Sequence, residues 1–138
     1  MQIEIMKSKI HRATITQADP AYVGSLTLDQ DLMEAASLHK GEKVEVVVLE
    51  NAARWTTYVM PGPRGTGVVG INGPTARMAL PGDLVIIFTF GTMTEAEADK
   101  FEPAVVFVDR QNQIVRRGTD AAEAVPGTNT LRGDQVYA

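Results

Sequence analysis

Residues 44–74 read VEVVVLENAARWTTYVMPGPRGTGVVGINGP, and this stretch decides the fold. Residues 44–49 and 54–60 are rich in β-branched and aromatic side chains, which suit a pleated, half-buried surface, so each run predicts a strand. Glu50-Asn51-Ala52 between them predicts a hairpin turn. Residues 61–67, Pro-Gly-Pro-Arg-Gly-Thr-Gly, form a loop by composition. Residues 68–71 are short and apolar, and Asn72-Gly73-Pro74 turns the chain again.

The same pattern continues on both sides. Toward the N-terminus, Ile3 and Ile5 alternate with polar neighbours and residues 10–16 are rich in β-branched side chains, so together they predict a strand. Asp19-Pro20 breaks it, because proline lacks an N–H and restricts the residue before it. A short strand over 22–28 follows. Asp29 then caps a helix running through Leu38, with Leu32, Met33, Ala36 and Leu38 as its apolar face and Gly41 as its stop. Toward the C-terminus, Pro81-Gly82-Asp83 leads into the most hydrophobic strand, 84–90. Thr94 caps a brief helix over 95–100 with Glu97 at the capping-box position, and 104–108 is the last strand. Beyond about Arg116 the chain loses periodicity, which predicts a barrel domain over 1–116 and a mobile tail over 117–138. Many short strands, Gly/Pro turns and little helix predict a mainly β chain closed into a barrel.

Composition bounds the function. At 138 residues the chain fits one domain, and its 44% hydrophobic and 22% charged residues are ordinary for a globular protein. A net charge of −4 argues against general nucleic-acid binding, which favours a basic excess. No apolar run approaches the roughly 20 residues of a membrane helix, and the N-terminus interleaves charge with apolar residues, unlike a signal peptide. The chain has no cysteine, so disulfides and thiolate chemistry are out of reach. His11 and His39, far apart in the sequence, make a poor metal site. A cytoplasmic location is the default expectation.

Five blocks lie in order along the first 110 residues: M-K-S-K-I-H-R-A-T-I-T-Q-A-D (6–19), Y-V-G-S (22–25), N-A-A-R-W-T-T-Y (51–58), R-G-T-G-V-V-G-I-N-G (64–73) and P-G-D-L-V-I-I (81–87), with Thr92-Met93 after Gly91. A lone Gly-Ser dipeptide is commonplace; the ordered set resembles the pyruvoyl-dependent aspartate decarboxylases. The resemblance implies a double-psi β-barrel with short flanking helices. It also implies a homotetramer with sites between subunits, and the conversion of L-aspartate to β-alanine on the route to pantothenate. It leaves room for an accessory maturation protein.

The resemblance assigns roles residue by residue. Gly24-Ser25 is the self-cleavage site: the Ser25 hydroxyl attacks the Gly24 carbonyl, and elimination and hydrolysis turn Ser25 into a covalent pyruvoyl group. Glycine suits this position because it reaches backbone angles closed to other residues. The pyruvoyl ketone is the electron sink for decarboxylation, the part pyridoxal phosphate plays elsewhere. Arg54, with a planar fork suited to carboxylates, and Lys9 are the expected substrate cations. Tyr58 is the proton donor, and Thr57 supports cleavage and contacts substrate. Strand alternation puts Thr57 opposite Tyr58 unless the strand is distorted. Asn72, Gly73, Pro74 and Thr75 are expected to bind substrate, and His11 and Tyr22 to stand behind the cleavage point. The family commonly follows Asn-Gly with small alanines and a histidine, whereas this chain has Pro74, Thr75, Ala76 and Arg77. Proline has no N–H to donate, though the Thr75 hydroxyl could substitute. A changed 74–77 segment could alter substrate preference. Rival readings are a serine hydrolase using Ser25 with His11 and Asp19, and a non-catalytic barrel that binds partners. No nucleophile-elbow pattern surrounds Ser25.

Overall fold

A computed structural model describes residues 1–135. Its strands are β1 (Gln2–Thr14), β2 (Gln17–Asp19), β3 (Ser25–Asp29), β4 (Lys43–Val48), β5 (Arg54–Gly62), β6 (Val69–Asn72), β7 (Leu84–Thr94), β8 (Ala104–Val108) and β9 (Ile114–Gly118). Two short helices, α1 (Gln30–Ala35) and α2 (Glu95–Ala98), and a 3-10 turn over Pro74–Arg77 flank them. The strands form one sheet in the order β2-β6-β3-β5-β4-β7-β1-β8-β9.

The sheet closes because one chain segment serves both sides of it. β1 runs on into β2 through Ile15 and Thr16; the Ile15 N–H donates to the Asp83 carbonyl beside β7, and the Thr16 N–H to the Val69 carbonyl of β6. Parallel pairs β1–β8, β2–β6 and β3–β5 are interleaved with antiparallel ones, the crossed connections of the expected double-psi barrel. Period-two patterning sets what faces inward. Val44, Val46 and Val48 of β4 and Val85 and Ile87 of β7 are fully buried, and α1 adds Leu32 and Met33 to the same core. Each such side chain contributes about 1.5–3 kcal/mol by leaving water.

Local expectations are corrected in two places. The strand expected from Tyr22 starts only at Ser25, because the Asp19 side chain accepts the Ala21 N–H and bends residues 20–24 into a turn. The helix expected through Leu38 stops at Ala35. Ser37 takes a positive φ of 56° and the Leu38 N–H reaches back to the Met33 carbonyl, so Leu38 is buried by a turn. β9, which spans residue 116, pairs antiparallel with β8. The segment after β9 meets the barrel at Ala121, whose carbonyl accepts from the Lys9 ammonium at 2.9 Å, and is tied to itself where Arg132 pairs with Asp120 and Asp134. The last three residues of the expected tail are outside the described residues.

Two buried polar side chains tie the crossed loops together. Asn112, only 2% exposed, accepts the Thr14 N–H and donates to the Thr14 and Gly67 carbonyls, at 2.7–2.8 Å. Asp29 accepts the N–H groups of Asp31, Gly65 and Gly67.

Candidate active site

Ser25 opens β3 opposite Asn72 of β6 in the antiparallel register. Both are buried, at 8% and 4% exposure. The Asn72 amide nitrogen donates to Ser25 Oγ at 3.0 Å and to Thr27 Oγ1 at 2.9 Å, while Ser25 Oγ donates to the Val23 carbonyl at 3.2 Å. The serine hydroxyl is therefore bent back across Gly24. Asn72 Oδ1 is buried without a partner. Gly73 and Pro74 pack beneath Gly24, and Thr75 follows in the 3-10 turn that Pro74 starts. Tyr22 lies on the same turn with its ring in solvent.

β5 runs parallel to β3 with Leu26 beside Val59, so one place earlier Ser25 and Tyr58 stand side by side on one face. β5 pairs with β4 without a register break from Arg54 to Tyr58. Alternation is thus intact: Arg54, Thr56 and Tyr58 face outward, while Thr57 points the other way, level with buried Val44. Thr57 makes no side-chain hydrogen bond to Ser25 or Asn72. Tyr58 is 38% exposed and open to a small molecule.

The expected cations lie elsewhere. Arg54 is four residues from Tyr58, about 13 Å along an extended strand. It donates to Glu45 at 3.1 Å and sits 5.0 Å over the Phe88 ring. Lys9, beside Phe88 in the register, shares a cavity of about 430 Å³ with His11, Arg12, Ile86 and residues 121–125. A β-bulge between Ile10 and Ala13, where Arg12 has φ 61°, brings Arg12 to the same place. Burial lowers the Lys9 pKa below its ordinary value, against the pull of Asp120. His11 packs edge-on against Phe107 with its Nδ1 buried and unpartnered. Burial, then Lys9 and Arg12, lower its pKa to about 4.

That shift makes a prediction. His11 is neutral in the fold, so its contribution to stability is complete above its ordinary pKa near 6.5 and is lost as pH falls toward about 4. Melting temperature measured against pH should fall less steeply across this window in His11→Gln than in the parent protein. Parallel curves would show that His11 does not titrate this way.

This geometry leaves the serine-hydrolase reading without a base. The partners of Ser25 Oγ are an amide nitrogen and a backbone carbonyl, and His11 hydrogen-bonds neither. Among the described residues, no cluster of His, Asp and Glu could hold a metal, and no helix is long and apolar enough to cross a membrane. Asp29 caps α1 as the sequence predicts and also takes the Gly65 and Gly67 N–H groups, whereas Asn112 has only asparagine's tolerance of positive φ, 61° here, to mark it in the sequence.

A mainly β barrel that holds a buried serine, directly after a glycine, on an asparagine amide is the arrangement on which the comparisons with known proteins bear, and they set the class as a decarboxylase, a carbon–carbon lyase. The chain belongs to the aspartate decarboxylase family, whose pattern it matches over residues 1–115. It is 53% identical over 131 residues to aspartate 1-decarboxylase 1 of Frankia casuarinae, covering 95% of this chain and 85% of that protein.

Proposed function

We propose that the chain cuts itself between Gly24 and Ser25 and converts Ser25 into a covalently bound pyruvoyl group. With that group it turns L-aspartate into β-alanine and carbon dioxide, in the cytoplasm and on the route to pantothenate. One observation carries this reading: the buried Ser25 hydroxyl, directly after a glycine, is held by Asn72 and bent toward the carbonyl two residues back. Attack of Oγ on the Gly24 carbonyl carbon forms an ester as the C–N bond breaks, and the amine takes the hydroxyl proton. Loss of the Ser25 Cα proton with departure of the Gly24 carboxylate leaves dehydroalanine, and water then releases ammonia. Residues 1–24 stay with residues 25–138 because β1 lies between β7 and β8 in the sheet.

Once formed, the pyruvoyl ketone supplies an electron sink for the loss of carbon dioxide. The residues present fit it. The Asn72 amide nitrogen, which holds Ser25 Oγ at 3.0 Å before cleavage, would be freed when that oxygen leaves with the Gly24 carboxylate and would face the substrate, and the unpartnered Asn72 Oδ1 would accept a hydrogen bond from the substrate amine. Tyr58, beside Ser25 on the open face, would return a proton to the carbon that lost the carboxylate. Gly73, Pro74 and Thr75, which follow Asn72 beneath Gly24, would contact the substrate there. Because Pro74 has no N–H, the Thr75 hydroxyl would be the polar contact of that segment.

A chain's own Arg54, about 13 Å along β5 from Tyr58, is too far to reach an aspartate held at Ser25. The proposed site therefore takes Arg54, Lys9 and His11 from a neighbouring copy, as a homotetramer with sites between subunits would supply them. An accessory maturation protein would change the rate of cleavage rather than the chemistry. The test is production of β-alanine and carbon dioxide from L-aspartate. The parent protein should form both and Ser25→Ala neither; equal activity in Ser25→Ala would sink the reading.

A further inference from the structure

We propose that Gly73 is a positioning residue for the self-cleavage step, acting as a side-chain-free seat on which the scissile loop rests. The inference depends on the Gly24–Ser25 cut proposed above and assigns the part of the fold that aligns it. β6 lies between β2 and β3 in the sheet, and its last residue, Asn72, is partnered by Asp19 on one side and Ser25 on the other. Residues 20–24 must therefore arch over the end of β6 to get from one partner to the other. Gly73 lies directly under that arch.

Three contacts set the height of the arch. The Gly73 N–H donates to the Asp19 carbonyl at 2.9 Å, which fixes its first foot. The Asp19 carboxylate accepts the Ala21 N–H at 2.8 Å, which starts the bend. A Cβ placed on Gly73 would stand 2.7 Å from Gly24 Cα, 2.9 Å from Gly24 N and 3.3 Å from the Tyr22 carbonyl oxygen. All three are backbone atoms of the arch, so it would have to lift. Gly73 also has φ 84° and ψ −155°, a region that is essentially glycine's alone. By contrast, a Cβ on Gly24 would meet only ordinary contacts, at 3.9 and 4.0 Å. The close approach is thus required of Gly73 and not of Gly24.

The consequence is chemical. Ser25 is held by Asn72 and the β3 pairing from below and by the Val23 carbonyl of the arch from above, so lifting the arch pulls away the Val23 acceptor and turns the Gly24 carbonyl relative to the hydroxyl. A misplacement of about 1 Å between reacting groups costs on the order of 100-fold in rate.

The test follows freshly purified uncut protein by intact mass at fixed temperature, for the parent, Gly73→Ala, Asp19→Ala and Asp19→Asn. Hydroxylamine at neutral pH is added in parallel to cleave any ester at residues 24–25. Gly73→Ala should be cut about 100-fold more slowly and show little hydroxylamine-sensitive bond, while still melting in one cooperative transition, at a lower temperature than uncut Ser25→Ala. Asp19→Ala should be slowed about tenfold, and Asp19→Asn, which keeps the acceptor oxygen, should recover the parent rate. Parent-like cleavage in folded Gly73→Ala overturns the proposal. If Gly73→Ala fails to fold, parent-like cleavage in Asp19→Ala overturns it instead. A parent chain that never cuts and gives no β-alanine defeats the self-cleavage reading itself, and this proposal with it.

Discussion

Tyr58→Phe should be cut into the same two chains as the parent yet form β-alanine about 10²–10⁴-fold more slowly, the range general acid catalysis contributes. The substitution removes one hydroxyl and keeps the ring. Tyr58 stands on the outward face of β5 beside Ser25, while the partners of Ser25 Oγ, Asn72 and the Val23 carbonyl, come from other segments. Cleavage therefore does not need the phenol, whereas the carbon that loses its carboxylate does. Mass spectrometry and a β-alanine assay on the same preparation separate the two steps. An unchanged turnover rate would mean that the proton comes from another group.

Asn112→Ala should destabilise the barrel by about 3–4 kcal/mol, since each buried backbone group left unpaired costs about 1–3 kcal/mol. The Asn112 amide satisfies the Thr14 N–H and carbonyl and the Gly67 carbonyl from inside the protein. Alanine leaves all three without a partner and keeps the unfavourable φ of 61°, which asparagine tolerates better. Chemical denaturation of the parent and variant, with the slope checked for two-state behaviour, measures the difference. A loss below about 1 kcal/mol would mean that water replaces the amide, and that the crossed loops do not depend on this residue.

The legible parts of the fold were local. Hydrophobic alternation gave β4, β5, β7 and β8 within a few residues, and Thr94 with Glu97 forms the capping box their spacing predicts. What escaped notice depends on distant partners. β9 reads as Ile-Val-Arg-Arg-Gly, with too little apolar alternation to announce a strand, and β8 recruits it through backbone pairing. Ser37 gives no sign of its positive φ, which follows from how Leu38 is drawn into the core.

The site divides along the same line. Gly24, Ser25, Asn72 and Gly73 came from ordered motifs, and the register brings them together around one hydroxyl. Sequence alternation also separated Thr57 from Tyr58, and the undistorted strand keeps them apart. Motifs could not say that Lys9, His11 and Arg54 lie far from Ser25 of their own chain. That separation comes from strand order and register, which join residues nearly 80 positions apart, such as Lys9 and Phe88.

The most direct test of the account is the intact mass of the purified parent protein after warming. The account predicts two chains, residues 1–24 and 25–138, the second lighter by one ammonia than its serine-terminated form. A single chain of full mass that stays uncut, alone and with cell extract that could supply a maturation protein, would contradict it.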